Sequence, residues 1–231
     1  MIKPRGPDRP PARLADEELF ALLGRSGIVR DSHVVIYDDL GGLNAGRLFL
    51  ELERLQHPAV SVLDGGLVKW VLDGRSVDNR PVTRRPVRYL APGGRRASLA
   101  TIEEVKQPSA TDALLLDVRS REEYQGDPKQ PRSGHVPGAR WWPWEQAIRM
   151  DGGFVMRDAR ELDASLGRIG LAEKKAPLVL YCRSGHRAAQ TCLRPAASGF
   201  RERPFALRFH AQVSAGCLGS ARARHTSLMR G

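Results

Sequence analysis

Cysteine is scarce: three residues in 231, an odd number spread too thinly for a disulfide framework. The expected setting is therefore a reducing one, the cytoplasm, with free thiols. No apolar run approaches the ~20 residues of a membrane-spanning helix, so no membrane partner is expected. The opening Met1-Ile2-Lys3-Pro4-Arg5-Gly6-Pro7 lacks the apolar core of a secretory signal. Aromatic residues make up only 6% of the chain and do not interleave regularly with its basic stretches. That absence argues against a stacking platform for single-stranded nucleic acid. Acid is in deficit, with 26 Asp+Glu facing 37 Lys+Arg for a net charge of +11. Such an excess suggests an anionic partner, but its location weakens the suggestion. Residues 1–13 hold Lys3, Arg5, Arg9 and Arg13 against Asp8. Residues 80–96 hold Arg80, Arg84, Arg85, Arg88, Arg95 and Arg96 with no acid, and residues 201–231 hold six arginines against Glu202. The remainder is slightly acidic, so no nucleic-acid partner is expected.

Apolar material is ample at 41%, in a length that allows one large domain or two small ones. Residues 1–13 read as a disordered lead. Acids followed by Leu19, Leu22 and Leu23 at helical spacing predict a helix over Ala15–Gly24. His33–Tyr37 and Val60–Leu63 read as buried strands around a helix at Ala45–Gln56. The Pro/Gly/Arg-rich stretch 81–97 reads as a linker. Beyond it come a short helix at Ile102–Lys106, a strand at Ala113–Val118, a helix over 158–168 and a strand at Leu178–Tyr181. Strands alternating with helices predict an α/β fold with parallel sheets. Gly24-Arg25-Ser26-Gly27-Ile28 parallels Gly167-Arg168-Ile169-Gly170-Leu171, and Val34-Val35-Ile36-Tyr37-Asp38 parallels Leu178-Val179-Leu180-Tyr181-Cys182. Two matches in register predict a tandem pair.

The segment Leu178–Ala189 carries the chemistry. A buried strand delivers Cys182 into a short loop, Arg183-Ser184-Gly185-His186-Arg187, followed by an Ala-rich helical stretch. Inward-pointing N–H groups, Arg183, Arg187 and a protonated His186 would all favour the thiolate, making Cys182 a nucleophile beside an anion cradle. Neither Cys192 nor Cys217 forms a metal-binding spacing with Cys182, so no metal is expected.

These residues resemble the two-domain rhodaneses, the thiosulfate and 3-mercaptopyruvate sulfurtransferases. The resemblance rests on Asp117-Val118-Arg119…Glu123-Tyr124, on Gly134-His135-Val136-Pro137-Gly138-Ala139, on the loop Cys182–Arg187 and on Asp64-Gly65-Gly66…Trp70. It implies tandem rhodanese-like domains, each a mainly parallel sheet flanked by helices. The partial first domain would span 14–80 and the catalytic one 98–200, with 201–231 a divergent basic tail. Asp38 stands where Cys182 stands in the second repeat, as in the family's inactive N-terminal domain. The implied reaction moves sulfane sulfur from thiosulfate or 3-mercaptopyruvate through a Cys182 persulfide to cyanide or a thiol acceptor, with no cofactor. The loop shares one feature with each donor type, and its charge favours thiosulfate.

Supporting roles are expected for Asp117, as a structural acceptor, and for Arg119, as its ion-pair partner. Some two-domain members place a substrate-binding arginine where Glu123 stands, leaving Arg121 as the substitute. Trp141, Trp142 and Trp144 are expected in the core or between domains. Cys182 and Arg187 are separated by four residues rather than the five of a phosphatase cradle, which disfavours phosphatase chemistry. The first repeat lacks its opening segment, and Pro195 falls inside the expected helix, where it costs ~3 kcal/mol. After Phe200 no strand and no Asp-Gly-Ser…Trp motif are expected, as though the start were truncated and the reading frame shifted. Those gaps keep a non-catalytic binding or sulfur-relay module, or a decayed gene product, as the alternative.

Overall fold

The computed structural model describes residues 14–90, 114–129, 133–171 and 178–193, together with the backbone of 205–209, 216–217 and 228–230. The expected helix at Ile102–Lys106, the end of the basic linker and Pro195 lie outside the described residues. The first half runs α1 (Asp16–Arg25), β1 (Val34–Ile36), α2 (Leu43–Arg54), β2 (Val60–Asp64) and α3 (Gly66–Leu72). Asp16, Glu17 and Glu18 fill the first turn of α1, where the helix dipole favours acid, and Leu19 and Leu23 are buried on its inner face. The second half holds β3 (Leu114–Asp117), α4 (Arg121–Gln125), β4 (Arg140–Trp141), a 3-10 turn at Trp144–Ala147, α5 (Ala159–Gly167), β5 (Leu178–Cys182) and α6 (His186–Cys192). Ser120 caps α4 reciprocally: its hydroxyl accepts the Glu123 N–H at 3.3 Å, and the Glu123 carboxylate accepts the Ser120 N–H at 3.2 Å. No helix among the described residues is long and apolar enough to cross a membrane.

Two sheets result. One has strand order β4-β3-β5-β6-β7, where β6 is Phe205–Phe209 and β7 is Gly216–Cys217; the other has order β1-β2-β8, where β8 is Leu228–Arg230. Every pairing is parallel except β6 with β7. The tail thus corrects the expectation of a missing last strand. Phe205–Phe209 pairs with the whole of β5, from Leu178 opposite Phe205 to Cys182 opposite Phe209. Phe-Ala-Leu-Arg-Phe supplies aromatic and aliphatic residues that suit a pleated surface, although the tail around it is Arg/Ala-rich. Leu228–Arg230 likewise joins β2 in the first sheet. Helix α6 ends at Cys192, three residues before Pro195.

One core connects the halves. Leu178, Leu180 and Cys182 face a cluster that contains Leu116, Val118 and Ile148, and also Leu19, Phe49 and Leu52 of the first half. Val179 and Tyr181, on the opposite face of β5, join Leu115 and Ala139. With both faces covered, β5 is buried throughout, and each of its leucines contributes about 1.5–3 kcal/mol. Helix α2 lies against α6 so closely that a Cβ on Gly46 would stand 2.9 Å from the Gln190 backbone. Asp64, which ends β2, accepts the Met156 N–H at 2.8 Å. Trp144 packs against the shared core and Trp142 is buried, with its indole N–H on Ser165 Oγ at 2.9 Å.

Part of the basic linker is built into the first half. Tyr89 is only 4% exposed; its hydroxyl donates to His57 Nδ1 at 2.9 Å, while His57 Nε2–H donates to the Ser32 carbonyl at 2.8 Å. Burial, ahead of its other influences, holds the His57 imidazole below its ordinary 6.5. The unfolded chain then binds more protons in that window, so this contribution is complete above about pH 6.5 and is lost as pH falls through the lowered folded value. Melting temperature is expected to drop more between about pH 7 and pH 5 in the natural chain than in His57→Phe. Parallel melting curves for the two would remove His57 from the account.

Candidate active site

Strands β1 and β5 end in two loops of related construction. After β5, Gly185 sits at φ 90°, ψ −7°, a left-handed conformation that L side chains rarely adopt, and α6 begins at the next residue. After β1, Gly42 does the same at φ 87°, ψ 6°, before α2. Cys182 ends β5, and Asp38 lies two residues past the end of β1. In the first loop the Asp38 carboxylate accepts four backbone N–H groups, from Leu40 at 3.0 Å, Gly42 at 2.8 Å, Asn44 at 2.8 Å and Ala45 at 2.9 Å. This loop holds an anion that belongs to its own chain. In the second loop, Cys182 Sγ accepts the Gly185 N–H at 3.0 Å. The Cys182 side chain is completely buried, so its reaction partner must be small or must displace part of the loop.

The rest of the cradle is arranged by ion pairs. Arg187 forms a two-pronged pair with Glu123, with Nη2 to Oε1 at 3.0 Å and Nη1 to Oε2 at 2.5 Å. Burial works against the Arg187 charge, but the Glu123 carboxylate, with a smaller effect from Cys182, raises it above its ordinary value. Arg187 in turn holds Glu123 below the usual carboxylate range. Asp117 is wholly buried and takes the Arg119 N–H at 3.0 Å and Nε at 2.9 Å, while Arg119 Nη2 also donates to the Gly134 carbonyl at 2.8 Å. Asp117 and Arg119 thus form a buried ion pair. Arg183 is exposed at the rim.

One expectation changes. His186 cannot be counted as a cation: burial first, then the charge of Arg47 from α2, hold its imidazole below the ordinary value. Its Nδ1 instead lies 3.2 Å from Ser184 Oγ. Arg121 is exposed, with its guanidinium over the Trp141 ring at 5.8 Å. The pairing of Arg187 with Glu123 was not anticipated. Its sequence signal was the opposite charge of two motif residues 64 positions apart, which says nothing about contact by itself.

The family model of the rhodanese-like domain matches residues 101–208, a span that includes Asp117, Glu123 and the whole Cys182 loop. The chain carries a rhodanese-like domain. Sulfur carrier protein TtuD of Thermus thermophilus is 32% identical over 191 residues, covering 77% of this chain and 66% of that protein. A Mycobacterium leprae protein provisionally named as a thiosulfate sulfurtransferase is 33% identical over 184 residues, covering 76% and 65%. The chain therefore spans slightly less than two thirds of the length of these relatives. In fold it is similar to the 3-mercaptopyruvate sulfotransferase SseA of Escherichia coli, with a TM-score of 0.68 and 23% identity over 83% of this chain and 71% of that one. Wild-type EanB gives a TM-score of 0.65 at 25% identity, over 77% of this chain and 47% of that one. The rhodanese-like domain contributes the Cys182 loop, and the α2 helix of the first half lies beside it.

Proposed function

We propose that this chain is a sulfurtransferase that carries sulfane sulfur on Cys182, taking it from thiosulfate or 3-mercaptopyruvate and passing it to cyanide or a thiol. The observation that carries this reading is the placement of Cys182 Sγ on the Gly185 N–H, at the buried end of a central parallel strand, inside a loop flanked by arginines. The names of the relatives support it, and a structure of similar EanB holds a cysteine persulfide with ergothioneine.

With thiosulfate, the Cys182 thiolate attacks the outer sulfur, a new S–S bond forms and the old one breaks, and sulfite leaves with the electron pair. Attack of cyanide or an acceptor thiolate on the terminal persulfide sulfur then returns Cys182 as thiolate. No net oxidant or reductant is consumed. Only the second loop can take part, since the carboxylate of Asp38 carries no transferable sulfur. Incubation with thiosulfate or 3-mercaptopyruvate is expected to add one sulfur atom to the intact mass of the natural chain and none to Cys182→Ser. No gain with either donor would leave only the non-catalytic reading.

A further inference from the structure

Three basic side chains of the domain are already paired or neutral. Arg187 is engaged by both oxygens of Glu123, Arg119 is engaged by Asp117, and the His186 imidazole is held toward its neutral form. Arg183 remains exposed at the rim. Glu123 is itself fixed twice, by Arg187 and by the Ser120 N–H at the start of α4, so its carboxylate does not swing away freely. It is only about one third exposed, at 31%, where an added negative charge is screened less than in open solvent. A donor that uses Arg187 must compete with this carboxylate for it.

Building on the sulfur-carrier reading, we propose that Glu123 is a specificity-determining residue that disfavours doubly charged donors, so that the site prefers a monoanionic sulfane donor to thiosulfate. The chemically matched monoanion is methanethiosulfonate. Cys182 thiolate attacks its terminal sulfur, the S–S bond breaks and methanesulfinate leaves, just as sulfite leaves thiosulfate. The two donors differ chiefly in one unit of charge and in bulk by one methyl for one oxygen.

The test measures kcat and KM for thiosulfate and methanethiosulfonate, with cyanide as acceptor, in the natural chain, Glu123→Gln and Glu123→Arg. Gln retains the capacity to cap α4 and removes only the charge. The natural chain is expected to show kcat/KM about tenfold higher for the monoanion. Glu123→Gln is expected to bring the two donors to near parity through a lower KM for thiosulfate at little-changed kcat, and Glu123→Arg to continue the trend. A fall in kcat for both donors alike, with the donor ratio unchanged, would reduce Glu123 to an anchor for Arg187 and overturn the proposal. Should the variants not fold, a ratio at or below one in the natural chain overturns it by itself. Absence of a Cys182 persulfide from either donor is a different failure, that of the sulfur-carrier reading.

Discussion

Asp117→Ala is expected to destabilise the chain by about 3–5 kcal/mol, a large part of the ~5–15 kcal/mol that holds a typical domain together. The reason lies in what remains. Asp117 is 0% exposed and is the ionic partner of Arg119, whose side chain is only 8% exposed. Without the carboxylate, the guanidinium keeps the Gly134 carbonyl and the Tyr181 ring 5.5 Å away, neither of which neutralises it. A buried cation without its counterion costs more than the pair contributed, because the desolvation of Arg119 is no longer offset. The converse experiment separates this from a catalytic role. Replacing both partners at once, by Asp117→Leu with Arg119→Met, removes the desolvation cost together with the attraction and is expected to recover most of the lost stability. Denaturant midpoints of the two single variants and the double variant provide the cycle. Single variants within about 1 kcal/mol of the natural chain would show that water or another group compensates Arg119. Folded Asp117→Ala should still accept one sulfur on Cys182, since Asp117 binds Arg119 and not the loop.

The elements that follow a simple period were legible. Leu-Val-Leu-Tyr reads as a strand buried on both faces and is one, whereas Val-Val-Ile-Tyr forms a strand that is not buried as expected, because Val35 and Tyr37 are exposed and only Ile36 is fully covered. The Cys182 loop was legible because its residues are contiguous. What sequence could not display was pairing at a distance. Glu123 was visible as a departure from an expected arginine, but its grip on Arg187 depends on β3 and β5 lying side by side. Tyr89 was hidden in a stretch whose proline and arginine content suggested only a linker, although one aromatic ring and a buried histidine suffice to tie such a stretch down. The strand at Phe205–Phe209 was passed over because the motif that should follow it is absent from the sequence, and its five residues are short enough to escape any periodicity test. Asp38 was recognised as a substitution for cysteine. That its carboxylate would collect four N–H groups required the turn itself, since the donors lie two, four, six and seven residues downstream.

Gly46→Val is expected to lower sulfur-transfer turnover about a hundredfold, although residue 46 belongs to the half without a reactive cysteine. Gly46 lies on α2 where it crosses α6, and an added Cβ would stand 2.9 Å from both Cα and N of Gln190 and 3.0 Å from the Ala189 carbonyl carbon. These are backbone atoms, which cannot rotate aside as a flexible side chain would. The helices must therefore separate, and α6 begins at His186, directly after the glycine whose N–H holds Cys182 Sγ. A shift of even a fraction of an ångström is then transmitted to the sulfur, where the rate of an in-line displacement depends steeply on alignment. The fold itself is expected to lose only about 1–3 kcal/mol, the usual cost of overpacking. Turnover and stability should consequently separate, with kcat falling far more than the folded fraction, and Gly46→Ala should lie between Val and the natural residue on both scales. Unchanged kcat in a folded Gly46→Val chain would mean that α6 yields without moving the loop. In that case the first half would be a neighbour of the site and not part of what aligns it.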